Sequence, residues 1–203
     1  MTRSLRFILL TALLFLAMQS FAQTPLESLR KIFSSGAVSI EAEYEMLVQQ
    51  VPVTGNSELL VQGDKYTMKG NGLEVYCNGE DVWTIDEASC EVVIEPCDAM
   101  YDVYAVNPVI LLADIDVFFE IKSQKRIGYD TEYVFAAVKD CGILQADVLL
   151  AADGTIITSR FILKDGSSVF VKVKSLKKTE ERNSSFFSPS RKFGSDWVVT
   201  DLR

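Results

Sequence analysis

The chain contains no histidine, and this absence excludes more chemistry than any other feature of its composition. Catalytic triads and dyads with an imidazole base cannot form, and zinc sites that need imidazole ligands cannot form either. The usual general base near neutral pH is missing as well. A net charge of −8 argues against nucleic-acid binding, which requires a basic face. The length of 203 residues suits one domain, or two small ones at most. Because no spacing singles out a catalytic constellation, we expect a binding protein without a cofactor and not an enzyme.

Long apolar runs are also scarce, since the one clear example is Phe7 to Met18 near the N-terminus. Arg3 and Arg6 precede this run, and small residues follow it up to Ala22. This pattern predicts a secretory signal peptide over 1–22, cleaved near Ala22, and the alternative is an uncleaved membrane anchor. Loss of the two arginines would leave a single exported domain over 23–203 with a net charge of −10.

The four cysteines include no C-x-x-C pair, so a thioredoxin-like redox site is not expected. Exported proteins can form disulfides, and the predicted hairpins restrict the pairing. Cys77 and Cys90 fall at opposite ends of one strand, about 17 Å apart, which is too far for a bridge. Cys97 returns to the Cys77 end. The candidate disulfide is therefore Cys77–Cys97, favoured over the alternative Cys97–Cys141.

A single helix is predicted near the start of the mature chain, over 25–34. The segment 24–27 (TPLE) has the form of a capping box, with threonine as N-cap, proline at N1 and glutamate at N3. The apolar face of this helix would consist of Leu26, Leu29 and Phe33.

From residue 38 onward, apolar residues recur at every second position instead of at helical spacing. Residues 38–48 alternate between an apolar face and a mostly acidic face, which indicates a long half-buried antiparallel strand. Turn signals such as Gly55-Asn56 and Asn78-Gly79 then recur at short intervals. Further strands are predicted at 57–62, 65–69, 73–77, 80–85, 90–95, 115–122, 131–139, 143–151, 155–164 and 168–176. The fold class is mainly β with minor α, a large antiparallel meander of about eleven strands that forms a half-open, unclosed β-barrel.

Two segments do not follow the strand pattern. Residues 97–114 alternate poorly and contain Asn107-Pro108, which is consistent either with a helical insertion across the barrel mouth or with a loop packed on the core. The tail 177–203 is polar and irregular until Trp197-Val198-Val199, which would add an edge strand.

Strand alternation assigns one face of the barrel to an apolar cavity. The predicted lining residues are Ile40, Ala42, Tyr44, Met46, Tyr66, Met68, Val75, Trp83, Ile85, Val92, Ile94, Val117, Phe119, Ile121, Val148, Phe161, Val171 and Val173. Apolar residues of the two helical segments are predicted to form a lid, comprising Leu26, Leu29, Phe33, Val109, Leu111 and Leu112. Such a cavity suits acyl chains or other apolar ligands.

The order of these parts resembles the LolA family of periplasmic lipoprotein carriers, especially a Bacteroidetes-type branch. The resemblance rests on the export signal, the capped helix, the strand VSIEAEYEMLVQQ and the block at 61–96 with G-D-K-Y, N-G-E-D-V-W and E-V-V-I. Asn107-Pro108 with Leu111-Leu112 is similar to the family's NP…LL helix. The C-terminal segment from Phe186-Phe187 to the final V-V-T-D-L-R is similar to the C-terminal sequence of that branch.

This resemblance implies a carrier that shields lipoprotein acyl chains in an apolar cavity and takes them across the periplasm to the outer membrane. It implies an inner-membrane releasing transporter and an outer-membrane acceptor as partners, and we expect a monomer. Two alternative functions are also compatible with the sequence. One is a sensor module on the same fold that binds lipid or lipoprotein and regulates a partner. The other is a histidine-free hydrolase that uses carboxylates.

Overall fold

The computed structural model describes most of the predicted mature chain, namely residues 24–34, 36–48, 51–97 and 115–203. The predicted signal peptide lies outside the described residues. The predicted lid residues Val109, Leu111 and Leu112 also lie outside them, so the helical and loop interpretations of that segment both stay predictions.

Two α-helices occur in the described part of the chain. Helix α1 spans Pro25–Phe33, and its capping box is complete, because Thr24 Oγ1 accepts from the Glu27 N–H while Glu27 Oε2 accepts from the Thr24 N–H. Helix α2 is a single turn at Ile115–Phe118. A 3₁₀ turn follows late in the chain at Ser184–Phe187. The predicted helix near the N-terminus is thus present with its predicted start.

Twelve strands account for most of the remaining described residues. They are β1 (Ala37–Val48), β2 (Val51–Gln62), β3 (Lys65–Gly70), β4 (Leu73–Cys77), β5 (Asp81–Asp86), β6 (Glu91–Pro96), β7 (Phe119–Ile127), β8 (Asp130–Ala137), β9 (Ile143–Leu150), β10 (Ile156–Leu163), β11 (Ser168–Thr179) and β12 (Val198–Asp201).

These strands form one sheet in the order β12-β6-β5-β4-β3-β2-β1-β11-β10-β9-β8-β7. The first and last strands of this order are not paired with each other, so the sheet is an unclosed barrel. All neighbours pair antiparallel except β12, which runs parallel to β6 as an edge strand. The predicted fold class, a mainly β unclosed meander, is confirmed, with twelve strands in the described residues where about eleven were predicted.

Several local predictions were wrong. Gly55-Asn56 is not a turn, because β2 runs through it and stays paired with β1 along its whole length. The strand predicted at 115–122 begins at Phe119, because the preceding residues form α2. Hairpin register also differs, since Cys77 lies opposite Val82 and not Glu80. The turn at Asn78 is longer than two residues, as its side-chain oxygen accepts N–H bonds from Glu80 and Asp81.

The sheet has two distinct faces, each with its own apolar cluster. The larger cluster lies on the face against which α1 packs, and we call this the helix face. The smaller cluster lies on the opposite face, where Phe193 and Trp197 of the C-terminal segment pack against β5 and β6; we call this the tail face. The assignment follows from register, because residues directly opposite in antiparallel strands share a face.

Candidate functional site

Strand register places most of the predicted cavity residues together on the helix face. On β1, Tyr44 lies opposite Gly55 of β2 and Val171 of β11, and the same side of the sheet continues through β10 to Val148 of β9. The predicted residues on this face are Ile40, Ala42, Tyr44, Met46, Tyr66, Met68, Val75, Phe119, Ile121, Val148, Phe161, Val171 and Val173. The face is therefore one continuous apolar surface that crosses most of the sheet.

Burial along this face is graded along strand β1. Ile40 is 1% exposed beside α1, and Ala42 is 7% exposed one step further along. Tyr44 and Met46 beyond them are only half-buried, and Val53, which is paired with Met46, is 41% exposed. On the β11 side of the same strand, Val169 and Val171 are 3% and 4% exposed, so the core continues there, and apolar side chains reach solvent only at the far end of β1 and β2.

Tyr44 lies at the transition between these two ends. Desolvation raises the pKa of its phenol, which therefore stays neutral at physiological pH. A neutral phenol next to Val171 adds apolar ring surface to this end of the face without adding charge.

Helix α1 covers the packed end of the helix face. Leu26, Leu29 and Phe33, which were predicted as lid residues, are buried in the same cluster as the strand residues beneath them. Contact is close at the β9–β10 turn, where a Cβ on Gly154 would lie 2.5 Å from the Leu29 backbone nitrogen. Gly154 also has a φ of +88°, so this turn favours glycine for two separate reasons.

A two-pronged ion pair joins the two helices. Arg30 Nε lies 2.6 Å from Asp116 Oδ2, and Arg30 Nη2 lies 2.5 Å from Asp116 Oδ1. Helix α2 also places Ile115 in the helix-face cluster, with Phe118 packed against it. Both helices therefore cover the same face of the sheet and are linked at its surface.

Four predicted cavity residues lie on the wrong face. Trp83 pairs with Tyr76 and Ile94, and Ile85 pairs with Val92, so all of these side chains point away from Cys77 and Val82 of the helix face. Their apolar character has another cause, since they form the tail-face cluster that the C-terminal segment covers. The prediction for Trp83, Ile85, Val92 and Ile94 is therefore corrected: they belong to the second core.

Charged and aromatic side chains fix the C-terminal segment over this second core. The Arg191 guanidinium lies 4.8 Å from the Trp197 ring centre, and Phe193 packs against the same ring at 5.1 Å. Arg203 then binds Asp81 at 2.8 Å and Asp201 at 2.7 Å. The final residues thus close the tail face.

The structure around α2 also differs from the prediction. Val117 was predicted in a strand, but it lies on α2 and is 45% exposed. Ile121 has the predicted face, opposite Phe135, yet it is 47% exposed because β7 is the edge strand of the sheet. Phe119, between them, is buried as predicted.

The prediction missed other large residues on the helix face. Tyr133 and Phe135 of β8 are among the largest fully buried side chains, and their rings stack at 5.9 Å. Leu59 and Val61 of β2 are also buried. The period-two alternation of residues 131–135 is a signal that could have identified Tyr133 and Phe135. Leu59 and Val61 were missed because the turn wrongly predicted at residues 55–56 interrupted the register of their strand.

The two cysteines of the candidate disulfide come together. The Cys77 and Cys97 sulfur atoms are 3.4 Å apart, and the Cys97 N–H donates to the Glu80 carbonyl at 2.7 Å. The predicted proximity is therefore present, while the bond itself stays a prediction.

A depression of about 500 Å³ lies at the far end of β1, β2 and β11. Its lining includes Glu43, Asn56, Lys172 and Phe170, which register places on the tail-face side of these strands, so it is of mixed polar and apolar character and lies across the sheet from the helix face. Across the described residues, no group of three or more His, Cys, Asp or Glu side chains is placed to hold a metal ion. No helix in the described ranges is long and apolar enough to cross a membrane.

Comparison of the sequence with models of known families and with curated proteins gives no match. Solved structures do match. An uncharacterized conserved protein from Thermus thermophilus aligns over 87% of this chain and 96% of its own, with 13% identity and a TM-score of 0.53. A LolA superfamily protein from Nitrosomonas europaea aligns over 83% and 97%, with 11% identity and a TM-score of 0.46. A putative outer membrane lipoprotein-sorting protein domain from Vibrio parahaemolyticus aligns over 79% and 95%, with 12% identity and a TM-score of 0.41.

At these identities the likeness to the Thermus protein concerns the fold alone. The LolA resemblance implies an unclosed barrel with a helical lid and an apolar cavity; the unclosed barrel is observed, while the lid and the cavity stay predictions. The Bacteroidetes-type branch stays a prediction.

Proposed function

We propose that this protein is an exported carrier that binds the acyl chains of lipoproteins on its helix face and delivers them to the outer membrane. One observation carries the proposal: a continuous apolar face of an unclosed sheet is packed under α1 at one end and only half-covered at the far end of β1 and β2. The proposed acyl site begins at the open end, at Tyr44, Met46 and Val173. No covalent chemistry is required.

The energetics of this site suit reversible binding. Burial of about ten CH₂ groups contributes about 8 kcal/mol, and the cost of association is subtracted from this, so the net binding is weaker than micromolar and readily reversible. A carrier needs affinity of this order, since it must also release its cargo. The sequence resemblance supports lipoprotein as the cargo, an inner-membrane transporter as donor, an outer-membrane acceptor, a monomeric state and a periplasmic location.

The position of the native tryptophans allows a sharp binding test. Trp83 and Trp197 both belong to the tail-face cluster, so a bromine-labelled acyl chain on the helix face should quench them little. A tryptophan introduced by Tyr44→Trp should be quenched strongly by dibromopalmitate. The matched control is Phe170→Trp, because Phe170 lies opposite Glu45 on the adjoining strand, one register step away and on the other face.

The expected result is saturable quenching in Tyr44→Trp, with little change in Phe170→Trp and in the unsubstituted protein. Equal quenching in all three proteins, or quenching in none, would overturn the proposed site. Delivery is tested separately, by loading the protein with a diacylated lipopeptide and measuring its transfer to acceptor vesicles. Depletion of the protein in its own cell should also retain lipoproteins in the inner membrane.

Binding without transfer would favour the sensor module on the same fold. In that case the helix-face site would stand and the carrier activity would not. Mass spectrometry of the protein isolated from its own periplasm would identify the bound lipid under either function.

A further inference from the structure

We propose that Cys77 and Cys97 are oxidised to an intramolecular disulfide that links the end of β4 to the residue just beyond β6. The two sulfur atoms are in contact at 3.4 Å, across a sequence separation of 20 residues. A disulfide needs a sulfur–sulfur distance of about 2.05 Å, so bond formation must bring the two sulfur atoms closer together.

Hydrogen bonds hold the backbone around both cysteines. The Cys97 N–H donates to the Glu80 carbonyl at 2.7 Å, and the Asn78 N–H donates to the Asp81 carbonyl at 3.2 Å. The Asn78 side chain accepts from two further N–H groups of the same turn at 2.8 Å. The turn between β4 and β5 therefore forms hydrogen bonds at Asn78, which is next to Cys77, and also binds the backbone of Cys97. The sulfur contact belongs to an ordered part of the fold.

The other two cysteines lie elsewhere and have different partners. Cys90 lies in the β5–β6 turn with a φ of +54°, and its sulfur approaches the Glu87 carbonyl at 3.8 Å. Cys141 is buried before β9 in the other half of the sheet, where its sulfur approaches the Ile143 carbonyl. The described structure therefore singles out one pairing of the four thiols.

Exposure sets the order of the chemical steps. Cys77 is fully buried, whereas Cys97 is partly exposed and can meet an external disulfide. The contact with Cys97 and burial both raise the pKa of the Cys77 thiol, so Cys77 stays protonated while Cys97 reacts first.

The oxidant is a disulfide, either on a thiol oxidase of the exported compartment or on a small molecule such as oxidised glutathione. The Cys97 thiolate attacks one sulfur of that disulfide, forms a mixed disulfide and displaces the first thiolate. The Cys77 sulfur then attacks the Cys97 sulfur, its proton passes to the second sulfur of the donor as that sulfur leaves, and the donor is released as a thiol. Two electrons pass from the cysteine pair to the donor, which becomes two thiols, and a new sulfur–sulfur bond forms.

This bond would join two strand ends covalently, at Cys77 of β4 and at Cys97 directly after β6. The proposal does not depend on lipid binding, and its test contains no lipid, so the two proposals stand or fall separately.

The test is a peptide map of the full chain after controlled oxidation. The protein is purified in reductant, equilibrated in a glutathione buffer at an oxidising poise, denatured and alkylated with N-ethylmaleimide. Glutamyl endopeptidase then separates the four cysteines, because it cleaves after glutamate but not before proline. Cys77 falls in 75–80, Cys90 in 88–91, Cys97 in 92–120 and Cys141 in 133–180.

We expect the peptide 75–80 to be joined to 92–120, with the other two cysteines alkylated and the intact mass lower by two hydrogen atoms. Separate alkylation of Cys77 and Cys97, or linkage of Cys97 to Cys141, would overturn the proposal. Cys90→Ala is the matched control and should keep the link, whereas Cys97→Ser should lose it. Because the decisive map uses the unsubstituted protein, misfolding of a variant does not affect the outcome.

Discussion

Arg30 and Asp116 bind each other through two parallel hydrogen bonds, although 86 residues separate them in the chain. Their side chains are 41% and 56% exposed, so solvent screens the pair. We expect a coupling free energy of about 0.5–1 kcal/mol in a double-mutant cycle with Arg30→Met and Asp116→Asn. Urea unfolding at low and high salt measures it, and a coupling that persists unchanged in 1 M salt would contradict a screened surface pair.

Loss of packing between α1 and the helix face should lower the free energy of unfolding by more than loss of this ion pair. Leu29 is fully buried, and we expect Leu29→Ala to lower the free energy of unfolding by about 3 kcal/mol through lost burial and cavity formation. The matched control is Leu144→Ala, since Leu144 is 50% exposed and the same atoms are removed. The control should cost less than about 1 kcal/mol. Equal losses for the two variants would show that α1 contributes little to the fold.

The tail-face cluster predicts an effect at the opposite side of the sheet. Trp197→Ala removes the ring that Arg191 and Phe193 contact, and we expect a loss of about 2 kcal/mol together with a red shift of the remaining Trp83 emission. Val198→Ala, at an exposed neighbouring position, is the control. An unchanged Trp83 spectrum in Trp197→Ala would mean that the C-terminal segment does not cover β5 and β6 in solution.

The acid limb of the stability profile depends on two carboxylates, one in the turn after β10 and one at the end of β12. Hydrogen bonds from the Ser167 side chain and backbone lower the pKa of Asp165, and the Arg203 side chain lowers the pKa of Asp201 from 3.8 to about 2. Their folded-state pKa values lie below the unfolded values, so their stabilisation is complete above about pH 4 and is lost as the pH falls towards 2. Thermal unfolding should show this loss, and Asp201→Asn should reduce its steepness.

The same profile should be flat between about pH 6 and 8, because histidine is the side chain that ordinarily titrates there and the chain has none. A clear slope in this range would require a strongly shifted carboxyl or thiol.

Local signals were enough to predict the parts of the fold that depend on near neighbours. The capping box predicted where α1 starts, because its hydrogen bonds lie within four residues, and the alternation of 38–48 predicted β1 to within a residue. The short helix α2 escaped detection because four residues carry too little periodicity to separate a helical turn from a strand end.

The candidate site was predicted only in part, for a non-local reason. Trp83 and Ile85 carry the same apolar alternation as the residues of the helix face, and alternation alone does not say which face is which. They belong to the tail face, where they are covered by Phe193 and Trp197, about a hundred residues later in the chain. Tyr44 and Met46 lie on the helix face because their strand pairs with both of its neighbours over nearly its full length, and their role in a cavity stays a prediction.

The pairing of β1 with β11 has a consequence for how the protein must be made. Ala37 lies opposite Thr179, and Val198 near the C-terminus lies beside Glu91, so both halves of the sheet wait for late parts of the chain. Contacts of such long sequence separation form slowly, and they leave apolar strands uncovered until the last residues have emerged. The sheet therefore cannot be completed until β11 and β12 are available to pair with β1 and β6.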